Sequence, residues 1–305
     1  MKITLPKQVE VYITGLLILV VIVFSIALPQ VFWSVSNLQS VASQMPILGI
    51  LTFAMAITML CGGINLSIIA TTNSCSLVIA WIVTHYPAGW LTGLVALVAG
   101  LLAAALIGLA NGLLIAKVRV SPILATLGMM TLLKGANILL TGGSAIAGYP
   151  DWVLWLNSAQ PLGIPASLWL FAVIAALLWV FLSDSVPGRS VYLIGANERA
   201  SAYSGINTRR ILILTYVISA LLCAVAAFMM MSKLNSAKSS YGESYLLTSI
   251  LAAVLGGVNP DGGTGKIFGM ILALFLLQII ESGFNILGVS PYLTITKIFW
   301  KSKHC

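Results

Sequence analysis

The stretch with the clearest potential for chemistry is GGTGK (262–266), where glycines precede a lysine as in phosphate-binding loops. A P-loop needs GxxxxGK followed by Ser or Thr, so that backbone N–H groups cradle the phosphates and the hydroxyl reaches Mg²⁺. Here Pro260 stands at the first glycine position and Ile267 follows the lysine. The sequence therefore predicts no nucleotide site in this chain.

Residue types suited to acid–base, nucleophilic or metal chemistry do not form a constellation. There is no HExxH motif and no CxxC pair, and His85 and His304 lie in a predicted loop and at the extreme end. Cysteines within apolar segments behave as small buried hydrophobes. The four cysteines are Cys61, Cys75, Cys223 and Cys305. We expect no catalytic residue, no metal and no cofactor in this chain, and so no enzyme.

Two glycine-rich segments interrupt apolar sequence. CGGINLS (61–67) contains Gly62, Gly63, Asn65 and Ser67, and LGGVNPDGGTG (255–265) contains Gly256 and Gly257. A broken helix at membrane depth is tolerated where it packs on protein or lines a water-filled cavity, and such breaks often mark a substrate path. Ordinary turns at the inner face are the alternative. On the path interpretation the candidate lining residues are Gly62, Gly63, Asn65, Ser67, Thr126, Gly128, Gly256 and Gly257.

Neutral polar residues recur on or near the apolar segments and could hydrogen-bond an uncharged polyol. Hydrogen bonding between helices is the alternative for each of them. They are Asn65, Ser67, Thr71, Asn73, Ser74, Thr126, Asn137, Gln278 and Asn285. Ionisable residues inside spans would instead indicate an ion-coupled secondary transporter of a small polar solute. Lys134 and Glu281 are the candidates for such ion coupling.

The composition fixes the environment of these residues. Hydrophobic residues make up 60% of the 305, charged residues 7%, and the mean hydropathy is +1.06, whereas soluble domains carry about 25% charged residues. Such a chain must lie in lipid, and long continuous apolar runs indicate helices. We predict an all-α, polytopic integral membrane bundle of about nine to ten spans with Gly-rich broken helices. The predicted spans are 11–30, 41–60, 64–84, 90–116, 121–140, 165–183, 211–232, 245–258 and 267–288, with a last one from about 291.

Basic residues set the predicted orientation, with a cytoplasmic N-terminus. Two basic residues, Lys233 and Lys238, fall in outer segments, against twelve in inner ones, which is a strong positive-inside bias. The inner ones are Lys2, Lys7, Lys117, Arg119, Arg189, Arg199, Arg209, Arg210, Lys266, Lys297, Lys301 and Lys303. No basic stripe with interleaved aromatics is present, so nucleic acid is not an expected partner.

Two further patterns concern packing and the inner surface. Small residues recur every four positions in the fourth span, at Ala96, Gly100, Ala104, Gly108 and Gly112, which predicts close helix packing. The largest inner loop, 184–210, contains ANERASAYSGI. There Asn197 is a good N-cap, Glu198 lies in the first turn and Gly205 suits a left-handed C-terminal cap, so we predict a helix of roughly seven residues.

Several ordered blocks resemble the simple-sugar (ribose-type) permeases of bacterial ABC importers, which are related to the branched-chain amino-acid permeases. CGGINLS is similar to their GG-I-D-L-S signature. The segments ANGLLIAKVRVSPILATLGMMTLLKG, PGRSVYLIGAN, ANERASAYSGI and SILAAVLGGVNPDGGTGKIFG follow in the family's order, and the likeness covers about 45–290.

The resemblance implies a single permease domain over 1–305 in the bacterial inner membrane. It implies a separate ATPase that binds ATP, a solute-binding protein that delivers a small sugar, and a second permease chain, identical or different, within membrane lipid. It also implies that the helix in 184–210 couples the ATPase to the membrane helices. The coupling residues are then Gly195, Asn197, Glu198, Ala200, Ser204 and Gly205.

Two departures from the family pattern matter. The family usually has Asp at position 65, where Asn65 keeps hydrogen bonding but carries no charge. The usual final hydrophobic helix is replaced by KIFWKSKHC, so we expect an atypical end, truncated or altered, from about residue 291.

Overall fold

A computed structural model of the chain describes residues 6–288, and helices account for most of this range. Two short strands, β1 (Ile146–Ala147) and β2 (Ser236–Ala237), pair antiparallel. The helices are α1 (Pro6–Ala27), α2 (Pro29–Phe32), α3 (Val35–Leu60), α4 (Ile68–His85), α5 (Trp90–Ala116), α6 (Pro122–Thr141), α7 (Asp151–Ser158), α8 (Ala166–Asp184), α9 (Val186–Ala196), α10 (Glu198–Tyr203), α11 (Thr208–Leu234), α12 (Glu243–Leu255) and α13 (Ile267–Ile286).

The predicted membrane bundle is confirmed. Eight helices are long and apolar enough to cross a bilayer, namely α1, α3, α4, α5, α6, α8, α11 and α13. The predicted short segment at 245–258 is α12, an apolar helix of 13 residues. The span predicted from about 291, and the atypical end with it, lie outside the described residues.

Inter-helix contacts bring several connections together at one end of the bundle. Gly263 N–H donates to Leu60 O at 3.0 Å, which joins the α12–α13 connection to the end of α3. Lys266 pairs with Glu10 of α1 at 3.1 Å, and Arg119 before α6 pairs with Glu198 of α10 at 2.8 Å. We call this the basic end, defined by connections 61–67, 117–121, 256–266 and the segment 184–207.

The largest core cluster centres on α3, which α8, α11, α12 and α13 surround. α5 packs against α11 along its small residues. Gly108 lies so close to α11 that a Cβ there would come within 2.8 Å of Val217 Cα, and at Gly112 it would come equally close to Ile213 Cα. The stripe is buried. The predicted close packing of the fourth span is therefore present, with α11 as the main partner.

The sequence analysis missed three helices. The four-residue α2 follows the first span. The connection 141–164 contains α7, and Trp152 there packs over Gly93 and stacks on Phe228 with ring centroids 6.3 Å apart. Trp152 is thus a packing residue. The segment 184–210 contains α9 ahead of the predicted helix.

Candidate functional site

The first break is a capped helix end followed by a largely buried segment without regular structure. Gly62 has φ +80°, a left-handed conformation that strains residues with a Cβ. Its N–H donates to Met59 O at 2.8 Å, and Gly63 N–H donates to Thr58 O at 3.0 Å. This is the Schellman arrangement, which satisfies the last carbonyls of α3. α12 ends in the same way, with Gly257 at φ +88°.

A buried hydrogen-bond network holds the segment that follows Gly62. Asn65 Oδ1 accepts from the N–H and the hydroxyl of Ser67, at 3.1 and 2.7 Å. Leu66 N–H donates to Thr126 Oγ1 at 3.1 Å. The N–H groups of Leu66 and Ser67 are therefore paired within protein, as a break inside a membrane bundle requires.

Two further members of this network were not predicted from the sequence. Asn65 Nδ2 donates to Ser219 Oγ at 3.2 Å, and Asn111 Nδ2 donates to Ser67 Oγ at 2.9 Å. Asn111 lies beside Gly112 of the small-residue stripe. A polar residue at this closely packed face was the sequence signal that could have predicted its role in the network. Asn65, Ser67 and Thr126 are each buried, so in this chain they bond helix to helix.

The two breaks touch each other and α9 through glycines. We use the name glycine junction for the four glycines at this contact, which are Gly62, Gly195, Gly262 and Gly263. A Cβ at Gly262 would meet Gly62 N at 2.7 Å and Gly195 Cα at 2.8 Å. A Cβ at Gly195 would collide with Leu60 O and would meet Gly263 N at 2.5 Å. Three separate segments thus meet backbone to backbone at the basic end.

Side chains of α9 and the first break reinforce the junction. The Tyr192 hydroxyl donates to Gly265 O at 3.1 Å. Burial raises the pKa of Tyr192, so the phenol remains a donor. Cys61 Sγ lies 3.5 Å from Thr215 Oγ1, and burial raises the pKa of its thiol to about 11, although the Thr215 contact lowers it slightly. Cys61 is therefore an unreactive thiol at neutral pH.

The predicted short helix is α10, and both of its predicted caps are present. Asn197 Oδ1 accepts from Ala200 N–H at 2.9 Å. Gly205 has φ +84°, its N–H donates to Ala202 O, and Ile206 N–H donates to Ser201 O. α10 spans six residues, one fewer than predicted. Its outer side is open, with Tyr203 93% exposed.

The structure brings most of the candidate path residues together but not all. Gly62, Gly63, Asn65, Ser67 and Thr126 form one cluster. Gly256 lies at the end of α12 and packs against Met270 of α13. Gly128 stands apart on the exposed face of α6, beside Leu124 and Thr131, with open space around it.

The remaining neutral polar candidates include Thr71, which is buried on α4, and two groups. Asn73, Ser74 and Asn137 are buried where α4 meets α6 and the turn before α12. Gln278 and Asn285 line a cavity of about 250 Å³ between the first half of α3 and the second half of α13. Asn37, Ser40, Gln44 and Ser282 complete its polar wall.

Charged groups near the spans are mostly paired. Lys134 Nζ lies 2.6 Å from Glu243 Oε1, across α6 and α12. Glu281 is exposed about one and a half turns before the end of α13. Within residues 6–288, no group of three or more His, Cys, Asp or Glu side chains could hold a metal.

Comparison with known proteins identifies related sequences. Residues 37–299 match the family described as branched-chain amino acid transport system / permease component. The chain is 34% identical over 285 residues to the ribose import permease protein RbsC of Escherichia coli K12, covering 91% of this chain and 86% of the relative. It is 35% identical over 280 residues to RbsC of Bacillus subtilis 168, covering 91% and 85%.

A second group of relatives carries a different name. The chain is 34% identical over 247 residues to the autoinducer 2 import system permease protein LsrD of Yersinia enterocolitica, covering 79% of this chain and 73% of the relative. No solved structure matches the chain significantly.

Proposed function

Because this chain belongs to the family of branched-chain amino acid transport system permease components, we propose that it is the membrane-spanning subunit of an ABC importer for a small sugar. The relatives named for ribose and autoinducer 2 import support a sugar-like solute. The proposed partners are a separate ATPase that binds ATP, a solute-binding protein and a second permease chain, identical or different. The proposed location is the bacterial inner membrane, with a cytoplasmic N-terminus and basic end.

The observation that carries this proposal is the link between α10 and both breaks. α10 is capped at both ends and largely exposed. It follows α9 after the single residue Asn197, and Gly195 of α9 belongs to the glycine junction. A helix of six residues is marginal alone and needs a docking surface. We infer that the ATPase supplies it, with Gly195, Asn197, Glu198, Ala200, Ser204 and Gly205 as the coupling residues.

The proposed path follows from the same geometry. The glycine breaks would form its inner closure, with Gly62, Gly63, Gly256 and Gly257 shaping the backbone. Asn65, Ser67 and Thr126 position that closure, since their polar groups bond within the chain. Gly128 would line the path on the open face of α6. Movement of α10 and α9 would then reach the closure through Gly195.

We expect ATP-dependent sugar uptake when the chain is reconstituted with its ATPase and binding protein. The measurement is uptake of radiolabelled D-ribose, D-xylose, D-galactose and L-leucine into proteoliposomes that contain ATP. Uptake of a sugar, but not of L-leucine, supports the proposal. Uptake of L-leucine alone would contradict the sugar assignment, and the same uptake with a catalytically dead ATPase would contradict the ABC mechanism.

A further inference from the structure

A closed circuit of polar contacts lies between α4, α6 and the start of α12. We use the name polar ring for its five side chains, which are those of Asn73, Ser74, Lys134, Asn137 and Glu243. Asn73 Nδ2 donates to Ser239 O and Tyr241 O, both at 3.0 Å, and so holds the turn that leads into Glu243.

The ring closes through an ion pair and a helix turn. Glu243 pairs with Lys134 at 2.6 Å. Asn137 lies one turn further along α6 than Lys134, and its Oδ1 is 3.1 Å from Ser74 Oγ. Ser74 is next to Asn73 on α4, which completes the circuit. Contacts between residues more than 60 positions apart therefore enclose one small polar region.

Two buried polar atoms of the ring have no hydrogen-bond partner among residues 6–288. They are Asn73 Oδ1 and Asn137 Nδ2, on residues that are 1% and 5% exposed. Asn137 bonds to Ser74, the neighbour of Asn73 on α4, so both amides belong to the contacts made by this turn of α4. Ser74 also donates to Ala70 O at 2.9 Å, so its Oγ can accept a hydrogen bond from Asn137 Nδ2 if the Asn137 amide is turned round. In that arrangement Asn137 Oδ1 would be the unpaired atom.

These atoms are costly unless a ligand meets them. A buried polar group without a partner costs about 1–3 kcal/mol, and such groups in native structures call for a specific explanation. The ion pair is costly too, because Lys134 lies 12 residues into α6, roughly 18 Å from its inner start at 1.5 Å per residue. Charged side chains at this depth usually face the bundle interior or a water-filled cavity.

The ion pair is the exposed part of the ring. The Lys134 and Glu243 side chains are 49% and 55% exposed, whereas Asn73 and Asn137 are buried. The ring thus joins buried donor and acceptor atoms to an exposed ion pair.

We propose that the polar ring is the site in the membrane where the transported solute is held, and that it takes a neutral polyhydroxylated molecule. A hydroxyl both donates and accepts, so the hydroxyls of one polyol supply a donor to Asn73 Oδ1 and an acceptor to Asn137 Nδ2. Further hydroxyls bond to the Lys134–Glu243 pair without breaking it. A polyol brings no charge that competes with either partner of that pair, whereas a zwitterion brings two. The inference rests on the proposed sugar import function and adds the residues that contact the sugar.

The first test is transport by Asn137→Leu, which removes the amide and keeps the side-chain size. In proteoliposomes with the ATPase, the binding protein and radiolabelled D-ribose, we expect the maximal uptake rate to fall about tenfold, as expected for one lost solute hydrogen bond. The control is Ser167→Ala, which removes another buried unpaired polar atom at the start of α8, outside the ring. We expect wild-type uptake from it.

The second test separates contact with the solute from a structural role. Asn137→Cys is made in a chain whose own cysteines are replaced by alanine, and its labelling by a small charged thiol reagent is followed with and without D-ribose. We expect D-ribose to slow labelling severalfold and L-leucine to have no effect, with Ser167→Cys unprotected by either.

The outcomes distinguish the inference from the function on which it rests. Normal wild-type uptake with unchanged uptake by Asn137→Leu, or with no protection of Asn137→Cys, would overturn the ring as the solute site. Protection by L-leucine in place of D-ribose would overturn the polyol assignment. Absent wild-type uptake of any sugar would overturn the proposed function, and the inference with it.

Discussion

Gly195→Ala is expected to abolish ATP-driven uptake and to destabilise the protein, although alanine is the better helix former. In an open helix the change would favour folding by up to about 1 kcal/mol. At Gly195 the added Cβ collides with Leu60 O and meets Gly263 N at 2.5 Å, and both are backbone atoms that cannot rotate away. Overpacking of this kind costs about 1–3 kcal/mol. The measurements are sugar uptake and the thermal unfolding midpoint of the purified protein.

The matched control is Gly15→Ala in α1, where no atom of residues 6–288 lies within 4 Å of the added Cβ. We expect unchanged uptake and an equal or higher unfolding midpoint. Tyr192→Phe gives a milder test of the same junction, because it removes the hydrogen bond to Gly265 O and keeps the ring. Its expected cost is about 0.5–1.5 kcal/mol, with partial loss of uptake. Wild-type uptake and stability for Gly195→Ala would show that the three segments do not depend on one another.

Ala202→Pro is expected to abolish solute-stimulated ATP hydrolysis and transport while the chain remains in the membrane. Proline in a helix interior removes an N–H donor and clashes with the carbonyl four residues earlier, at a cost of about 3 kcal/mol. α10 has six residues and cannot absorb this loss. Ala202 is exposed, so the bundle beneath keeps its packing. The measurement is ATPase activity of the assembled importer with and without solute-loaded binding protein.

Ala202→Ser is the control for this variant, since it keeps the N–H and the helix. We expect solute-stimulated ATPase activity close to wild type from Ala202→Ser and a basal rate from Ala202→Pro. If Ala202→Pro retained full stimulation, α10 would not be the element that transmits the signal between the ATPase and the membrane helices.

The spans and the α10 caps could be predicted because each depends on local physics. Bilayer thickness sets the length of an apolar helix, and a cap depends on a few neighbouring residues such as Asn197 and Gly205. α9 was missed because the whole of 184–210 was treated as one polar loop with a single short helix. Two features were signals for a helix start. Ser185 is an N-cap whose side chain accepts from Gly188 N–H at 2.9 Å, and a proline stands in the first turn.

The long-range contacts could not be predicted from one sequence. Gly195 meets Leu60 across 135 positions, and Lys134 pairs with Glu243 across 109. Such pairs depend on how helices pack in three dimensions, which local spacing does not encode. The glycine breaks were therefore predicted as candidates, whereas their contact with each other and with α9 came from the structure. For the same reason Asn73 and Asn137 could be named as polar residues but not placed in one ring.

The most direct test of the account is solute accumulation against a gradient, with and without the ATPase. The chain is reconstituted in proteoliposomes with the binding protein, and D-ribose uptake is followed with ATP alone, with a proton gradient alone, and with both. The account predicts accumulation when the ATPase and ATP are present, whether or not a proton gradient exists, and the same result for Glu281→Gln. Uphill accumulation by the chain without the ATPase, driven by the proton gradient and lost in Glu281→Gln, would contradict it.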